Sequence, residues 1–159
     1  MTKITHITLA LAALGFAAQA QAQTQPIKPF NPQIQTGGDL TIDKLRQQNL
    51  TVVKKAVEGI RLTLPQKVDQ FTQFVAIDSN GTRLIYTFAV DAGPKTDAAL
   101  RAKGKKMAPR VLKGMCGSAD RFIQADIALT YRYVNKATQT EILRVDADKK
   151  LCPEKKPNE

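Results

Sequence analysis

The sequence predicts an α+β fold: an antiparallel four-stranded sheet made of two hairpins, helices packed on one face, element order α-β-β-α-β-β, and one disulfide. Three observations predict it. Apolar and polar residues alternate with period two in residues 71–91 and again in 127–146, each stretch divided by a polar turn. Apolar residues recur at steps of three and four before each of these stretches. The chain has two cysteines, Cys116 and Cys152, one on each side of the second hairpin. A length of 159 residues fits one domain.

Residues 1–22 read as a cleavable secretory signal. Lys3 supplies a positive start, residues 7–18 are an apolar run of twelve, and Ala20-Gln21-Ala22 offers an Ala-x-Ala cleavage site, with cutting expected after Ala22 or Ala20. Twelve apolar residues are too few to span a bilayer, which takes about 20 in a helix. The signal has a bacterial form, so the expected location is the periplasm, with no transmembrane segment in the mature chain. Residues 23–38 carry Pro26, Pro29 and Pro32 and end in Gly37-Gly38, with neither helical nor strand period. They read as a flexible leader with polyproline II character. Residues 39–152 form the expected domain, and 153–159 a polar tail.

Within the domain, residues 39–64 are helical in pattern. Thr41 or Asp43 can cap the start, Val53, Val57, Ile60 and Leu64 make one apolar stripe, and Pro65 stops the helix. In the first hairpin, Asn80-Gly81 is the turn signal between two alternating runs. Asn80-Gly81-Thr82 and Asn49-Leu50-Thr51 also match the glycosylation sequon, which in a bacterial protein is a chance match. Thr96 can cap a second helix. Leu100, Met107, Val111 and Met115 form its apolar stripe, and Gly104 and Pro109 predict a kink or break near Ala108. Ser118 can cap a short helix to Gln124. The second hairpin runs from Ile127 to Asp146, turning at 135–139. Tyr86, Phe88, Leu129 and Tyr131 are the candidate core residues of the sheet. Asp69 and Asp91 read as turn and strand-end residues.

In an oxidising compartment two cysteines in a mature chain pair, so Cys116 and Cys152 are expected to form a structural disulfide. There is no Cys-x-x-Cys spacing for redox chemistry. The only histidine, His6, lies in the signal, and there is no tryptophan. A mature chain without histidine excludes Ser-His-Asp and Cys-His catalysis as usually built, and zinc sites that use imidazole. Asp146, Asp148 and Glu141 are the only clustered acids near one strand, short of the six or more oxygens that calcium takes. No catalytic residue, metal or cofactor is expected, and the protein reads as a non-enzyme.

Loss of Lys3 takes the formal net charge from +10 to +9. The densest basic segment is the second helix, where Arg101, Lys103, Lys105, Lys106, Arg110 and Lys113 form a candidate anion-binding face. No aromatic side chains interleave with them, which argues against single-stranded nucleic acid, and no specific nucleic-acid binding is expected. The leading expectation is a non-catalytic periplasmic interaction module: an inhibitor, an immunity-type protein or an envelope accessory protein whose partner is a periplasmic protein. The alternative is a binder of anionic envelope polymers or lipids through the basic helix.

Several short motifs occur in a suggestive order. They are Leu64-Pro65-x-x-Val68-Asp69-x-x-Thr72, the Asn-Gly hairpin with Leu84-x-Tyr86-x-Phe88, Met115-Cys116 followed by Asp120-Arg121, Leu129-x-Tyr131-x-Tyr133, and Cys152. In this order they resemble a group of small exported bacterial proteins with a Leu-Pro-x-x-Val-Asp segment and a C-terminal cysteine pair. The resemblance implies this fold and compartment and no activity. The chain departs from the group at Asp126, where a glycine often precedes the third strand.

Overall fold

The computed structural model describes residues 41–154. The expected signal, the leader and all but the first two residues of the tail lie outside them. The elements are α1 (Ile42–Arg61), β1 (Gln66–Lys67), β2 (Thr72–Asn80), β3 (Arg83–Val90), α2 (Asp97–Ser118), α3 (Asp120–Gln124), β4 (Ala128–Asn135) and β5 (Glu141–Ala147). The fold is α+β, with one five-stranded mixed sheet in the order β1-β2-β3-β4-β5.

The four-stranded antiparallel expectation is corrected in two ways. Gln66 and Lys67 add a short edge strand, pairing with Phe74 and Gln73. The central pair β3–β4 is parallel, with Leu84 beside Leu129, Tyr86 beside Tyr131 and Phe88 beside Tyr133. The cause is the connection. The 22 residues of α2 rise about 33 Å, enough to carry the chain back along the whole of β3. The next strand then starts from the same end, and a parallel neighbour needs such a crossover. Alternation within a strand reports which face is buried and says nothing of its neighbour's direction.

Both helices pack on one face of this sheet. Val53, Ala56 and Val57 of α1 bury against Phe74, Ile77, Leu84 and Phe88. Met115 of α2, Ala119 and Ile123 bury against Leu129, Val145 and Ala147. Phe74 and Ile77 share this face although three residues apart, because the β2–β3 register shifts between Phe74 and Ala76 and leaves Val75 as a bulge. That bulge is why both faces of this strand look apolar in sequence. Ile60 and Leu64 pack against the first cluster as the expected stripe requires.

Local details differ from expectation where geometry overrides propensity. Asn80 pairs with Arg83, so the hairpin loop is Gly81-Thr82. Only Gly81 has a positive φ, 60°, which is the pattern of a turn with glycine in the first central position. Thr41 precedes α1 but its side chain makes no cap bond, whereas Thr96 caps α2 by accepting from Ala99 N at 3.3 Å. Helix α2 runs unbroken through Gly104 and Pro109. Gly104 is buried: a Cβ there would meet Ile142 O at 2.8 Å and Leu143 Cβ at 3.1 Å. The missing side chain lets α2 lie close on β5, so this glycine is a packing contact and not a breaker. Ala108, Val111 and Leu112 complete the buried stripe, while Met107 is 45% exposed. Ser118 ends α2 and donates back to Gly114 O at 2.9 Å, so it does not cap α3. Asp126 has a φ of 62°, the left-handed region where glycine is favoured.

Candidate functional site

The disulfide is formed. Cys116 and Cys152 are joined with their Cα atoms 5.3 Å apart. Asp148 presents Cys152, since its Oδ1 accepts from Lys150 N and Leu151 N and its carbonyl accepts from Cys152 N at 2.8 Å. The bond fastens the last turn of α2 to the segment after β5, inside the second apolar cluster. It is structural, and its place on the fold leads to the surface beside it.

Helix α1 lies over β2 and β3, and α2 lies over β5, with at most a marginal contact between the two helices. Between them the β3–β4 pair is sealed at Leu84 and Leu129, where α3 packs on β4, and less fully covered at Tyr86, Tyr131 and Tyr133, which make the floor of a shallow groove. The floor is aromatic. Tyr86 and Phe88 of β3 meet Tyr131 of β4 with ring centroids 5.4 and 5.1 Å apart, and Phe88 stacks on Tyr133 at 5.0 Å. Phe74 joins Tyr86 and Phe88 from β2. Phe122 of α3 packs against both clusters. Tyr86, Tyr131 and Tyr133 are all the tyrosines of the chain, and each is half-buried.

Their hydroxyls are the unusual feature. None of the three makes a hydrogen bond to a described residue, and none is among the buried polar atoms lacking a partner. All three side chains keep part of their surface exposed among the described residues. Burial pushes the Tyr133 phenol up to about 12, with Tyr131 and the Asp69 carboxylate adding to the effect. Burial raises Tyr86 further, with Tyr131 second, and burial raises Tyr131. Asp91 N donates to Phe71 O at 2.7 Å, so the β1–β2 loop lies at the end of the sheet where β3 finishes. Asp69 Oδ1 accepts from Phe71 N and Thr72 N, both at 2.8 Å, the turn role expected for it. In that loop Val68 and Phe71 are exposed, Phe71 to 58%. The groove thus has an apolar lip and a floor of rings whose hydroxyls have no partner among the described residues.

The six basic residues expected to form an anion-binding face are all exposed on α2. They do not share one role. Arg101 donates to Glu141 O at 3.2 Å and so ties α2 to β5. Lys103, Lys106, Arg110 and Lys113 lie opposite the buried seam of Leu100, Gly104 and Met115, and none forms an ion pair among the described residues. Lys105, also unpaired, flanks them.

The acids considered for a metal are held by arginines instead. Arg83 pairs with Asp146 at 3.1 Å and Asp148 at 3.8 Å; Arg132 pairs with Glu141 at 3.0 Å; Arg144 lies 3.6 Å from Asp146. Thr130 donates to Asp146 as well. Among the described residues no group of three His, Cys, Asp or Glu is placed to hold a metal ion. No described helix is long and apolar enough to cross a membrane. Asn49, in one of the two sequons, is buried and donates to Ala125 O at 2.6 Å, so its amide is unavailable for glycosylation in the folded chain.

Sequence reasoning placed Tyr86 and Tyr131 in the sheet core and missed the groove. The available signal was the concentration of every tyrosine on one face of two strands. The missing fact was that those strands are neighbours.

No family model matches the chain, and no curated protein matches it. Solved structures share its fold. One, described as a candidate secreted protein of Pseudomonas aeruginosa, has a TM-score of 0.59 at 13% identity, over 71% of this chain and 98% of its own. The pilotin EpsS of the Vibrio vulnificus type 2 secretion system has a TM-score of 0.54 at 11% identity, over 71% of this chain and 99% of its own. The type II secretion pilotin AspS of Vibrio cholerae has a TM-score of 0.50 at 9% identity, over 70% and 98%. At these identities the likeness is one of fold.

Proposed function

We propose that this protein is a non-catalytic accessory protein of the bacterial envelope that holds a segment of a protein partner in the groove between α1 and α2. The observation that carries this reading is the set of three half-buried tyrosines whose hydroxyls have no partner among the described residues, on an otherwise apolar floor. Tyrosine offers a large apolar ring and a hydrogen-bonding tip, the combination enriched where proteins bind proteins. The fold likeness to secretion pilotins supports an accessory role in the envelope, with the periplasm as the location. The resemblance to small exported proteins with a Leu-Pro-x-x-Val-Asp segment belongs to the same proposal. The lack of histidine beyond His6 disfavours an enzyme.

Capture from a periplasmic extract with matched baits tests the reading. The wild-type bait is expected to retain a stoichiometric protein through a high-salt wash, and a folded Tyr131→Arg bait to lose it. No retained protein, or equal retention by Tyr131→Arg, contradicts it.

A further inference from the structure

We infer that the outward stripe of α2 is a docking surface for an anionic membrane. The stripe is Lys103, Lys106, Arg110 and Lys113, at steps of three, four and three, which puts all four on one side of the helix. From first to last it spans about 15 Å of helix axis. Several basic residues elsewhere are engaged, Arg61 with Asp78, Arg83 with Asp146, Arg132 with Glu141 and Lys136 with Asp91; Lys44, Lys54 and Lys55 of α1 are in no ion pair among the described residues, but that helix also carries Asp43 and Glu58. On α2 the one acid, Asp97, sits in the first turn, bound by Asn135 Nδ2 at 2.7 Å and by Thr138. No carboxylate of the helix offsets the stripe.

Shape selects the occupant. The stripe lies on the outer side of α2, away from the sheet, and all four of its residues are exposed among the described residues. An outward row of four cations, unpaired among the described residues, fits an extended negative surface, and lipid headgroups supply one. The apolar side of α2 is committed to the sheet, so the helix adsorbs without inserting. Met107, four residues after Lys103 and three before Arg110, is the exposed apolar side chain beside the stripe and reaches the headgroup level. Each Lys or Arg near an anionic surface contributes a roughly fivefold gain in partitioning. The attraction acts over a Debye length, so it weakens as salt rises.

Flotation with two vesicle types tests this: phosphatidylcholine alone, and phosphatidylcholine mixed with phosphatidylglycerol. The protein is expected to float with the mixed vesicles at low salt, to leave them at high salt, and to ignore the neutral ones. The variant Lys103→Gln/Lys106→Gln/Arg110→Gln/Lys113→Gln is expected to bind at least a hundredfold more weakly. The variant Lys44→Gln/Lys54→Gln/Lys55→Gln removes three exposed charges from α1 and is expected to bind nearly as wild type. Tyr131→Arg, which disables the groove, is also expected to float, so the two surfaces stand or fall separately. The inference is overturned if the mixed vesicles are not bound, if neutral vesicles bind equally, if loss of the α1 charges weakens binding as much, or if sedimentation finds the protein on isolated peptidoglycan and not on vesicles.

Discussion

At the scale of single residues, the fold depends on positions whose sequence signal is ambiguous. Gly104 and Gly114 both look like defects in a helix. Only Gly104 faces a neighbour within reach of a Cβ. Gly104→Ala is expected to destabilise by about 1–3 kcal/mol, since the backbone of β5 must yield. Gly114→Ala, on an open face, is expected to stabilise by about 0.5–1 kcal/mol through helix propensity and a stiffer unfolded chain. Urea melts of the two variants check both signs. Asp97 is the residue for acid sensitivity. Its carboxyl is held below the ordinary value chiefly by the Asn135 amide, with Thr140, Thr138 and the Arg101 charge helping. A lowered folded value means that its contribution is complete above the unfolded value of about 3.9. It is lost as pH falls below that value toward the folded one. The melting temperature of wild type is therefore expected to fall more steeply with acid in that window than that of Asp97→Asn.

At the scale of elements, helices, hairpins and staple were legible, and the edge strand and the pairing between the two hairpins were not. Period and caps are local, so α2 could be read from Thr96 and its stripe. The parallel β3–β4 pair depends on where a 22-residue helix returns the chain, and no local pattern encodes that. Strand β1 is two residues long, too short for a period. The Val75 bulge inverted the alternation that would have told the faces of β2 apart. Asp126 takes a positive φ that no local period announces. The edges of the sheet are blunted by side chains from the helices: Arg61 Nε donates to Ile77 O and Arg101 Nε to Glu141 O, both at 3.2 Å. Such cover keeps edge strands from pairing with other chains. The staple closes the loop that holds β4 and β5. Its removal by reduction, or Cys116→Ser, is expected to cost about 3–4 kcal/mol in the chain-entropy picture and to lower the melting temperature clearly. An unchanged melt on reduction contradicts a stabilising role.

At the scale of the whole molecule, one face of the sheet carries helices and the groove, and the other carries an arginine–carboxylate network. Pairs this exposed add little stability, so the fold rests on the two apolar clusters that Tyr86, Tyr131 and Phe122 bridge. The tyrosines then report on the groove alone, because the chain has no others and no tryptophan. Their raised folded values mean that the stability they carry is complete below about pH 10, their unfolded value, and is lost as pH rises above it. Phenolate absorbance is expected to lag until near pH 12, where Tyr133 ionises, or to appear together with unfolding seen by circular dichroism. Ionisation near pH 10 in a folded chain contradicts the buried floor.

The most direct test of the docking groove is site-specific photo-crosslinking in intact source cells. A photoreactive phenylalanine analogue at Tyr133 is expected to give one discrete protein adduct. The same analogue at Thr87, whose neighbour across the strands is Arg132 on the opposite face, is expected to give none. An identical adduct from both positions, or no adduct from a folded protein labelled at Tyr133, contradicts the groove as the place where a partner is held.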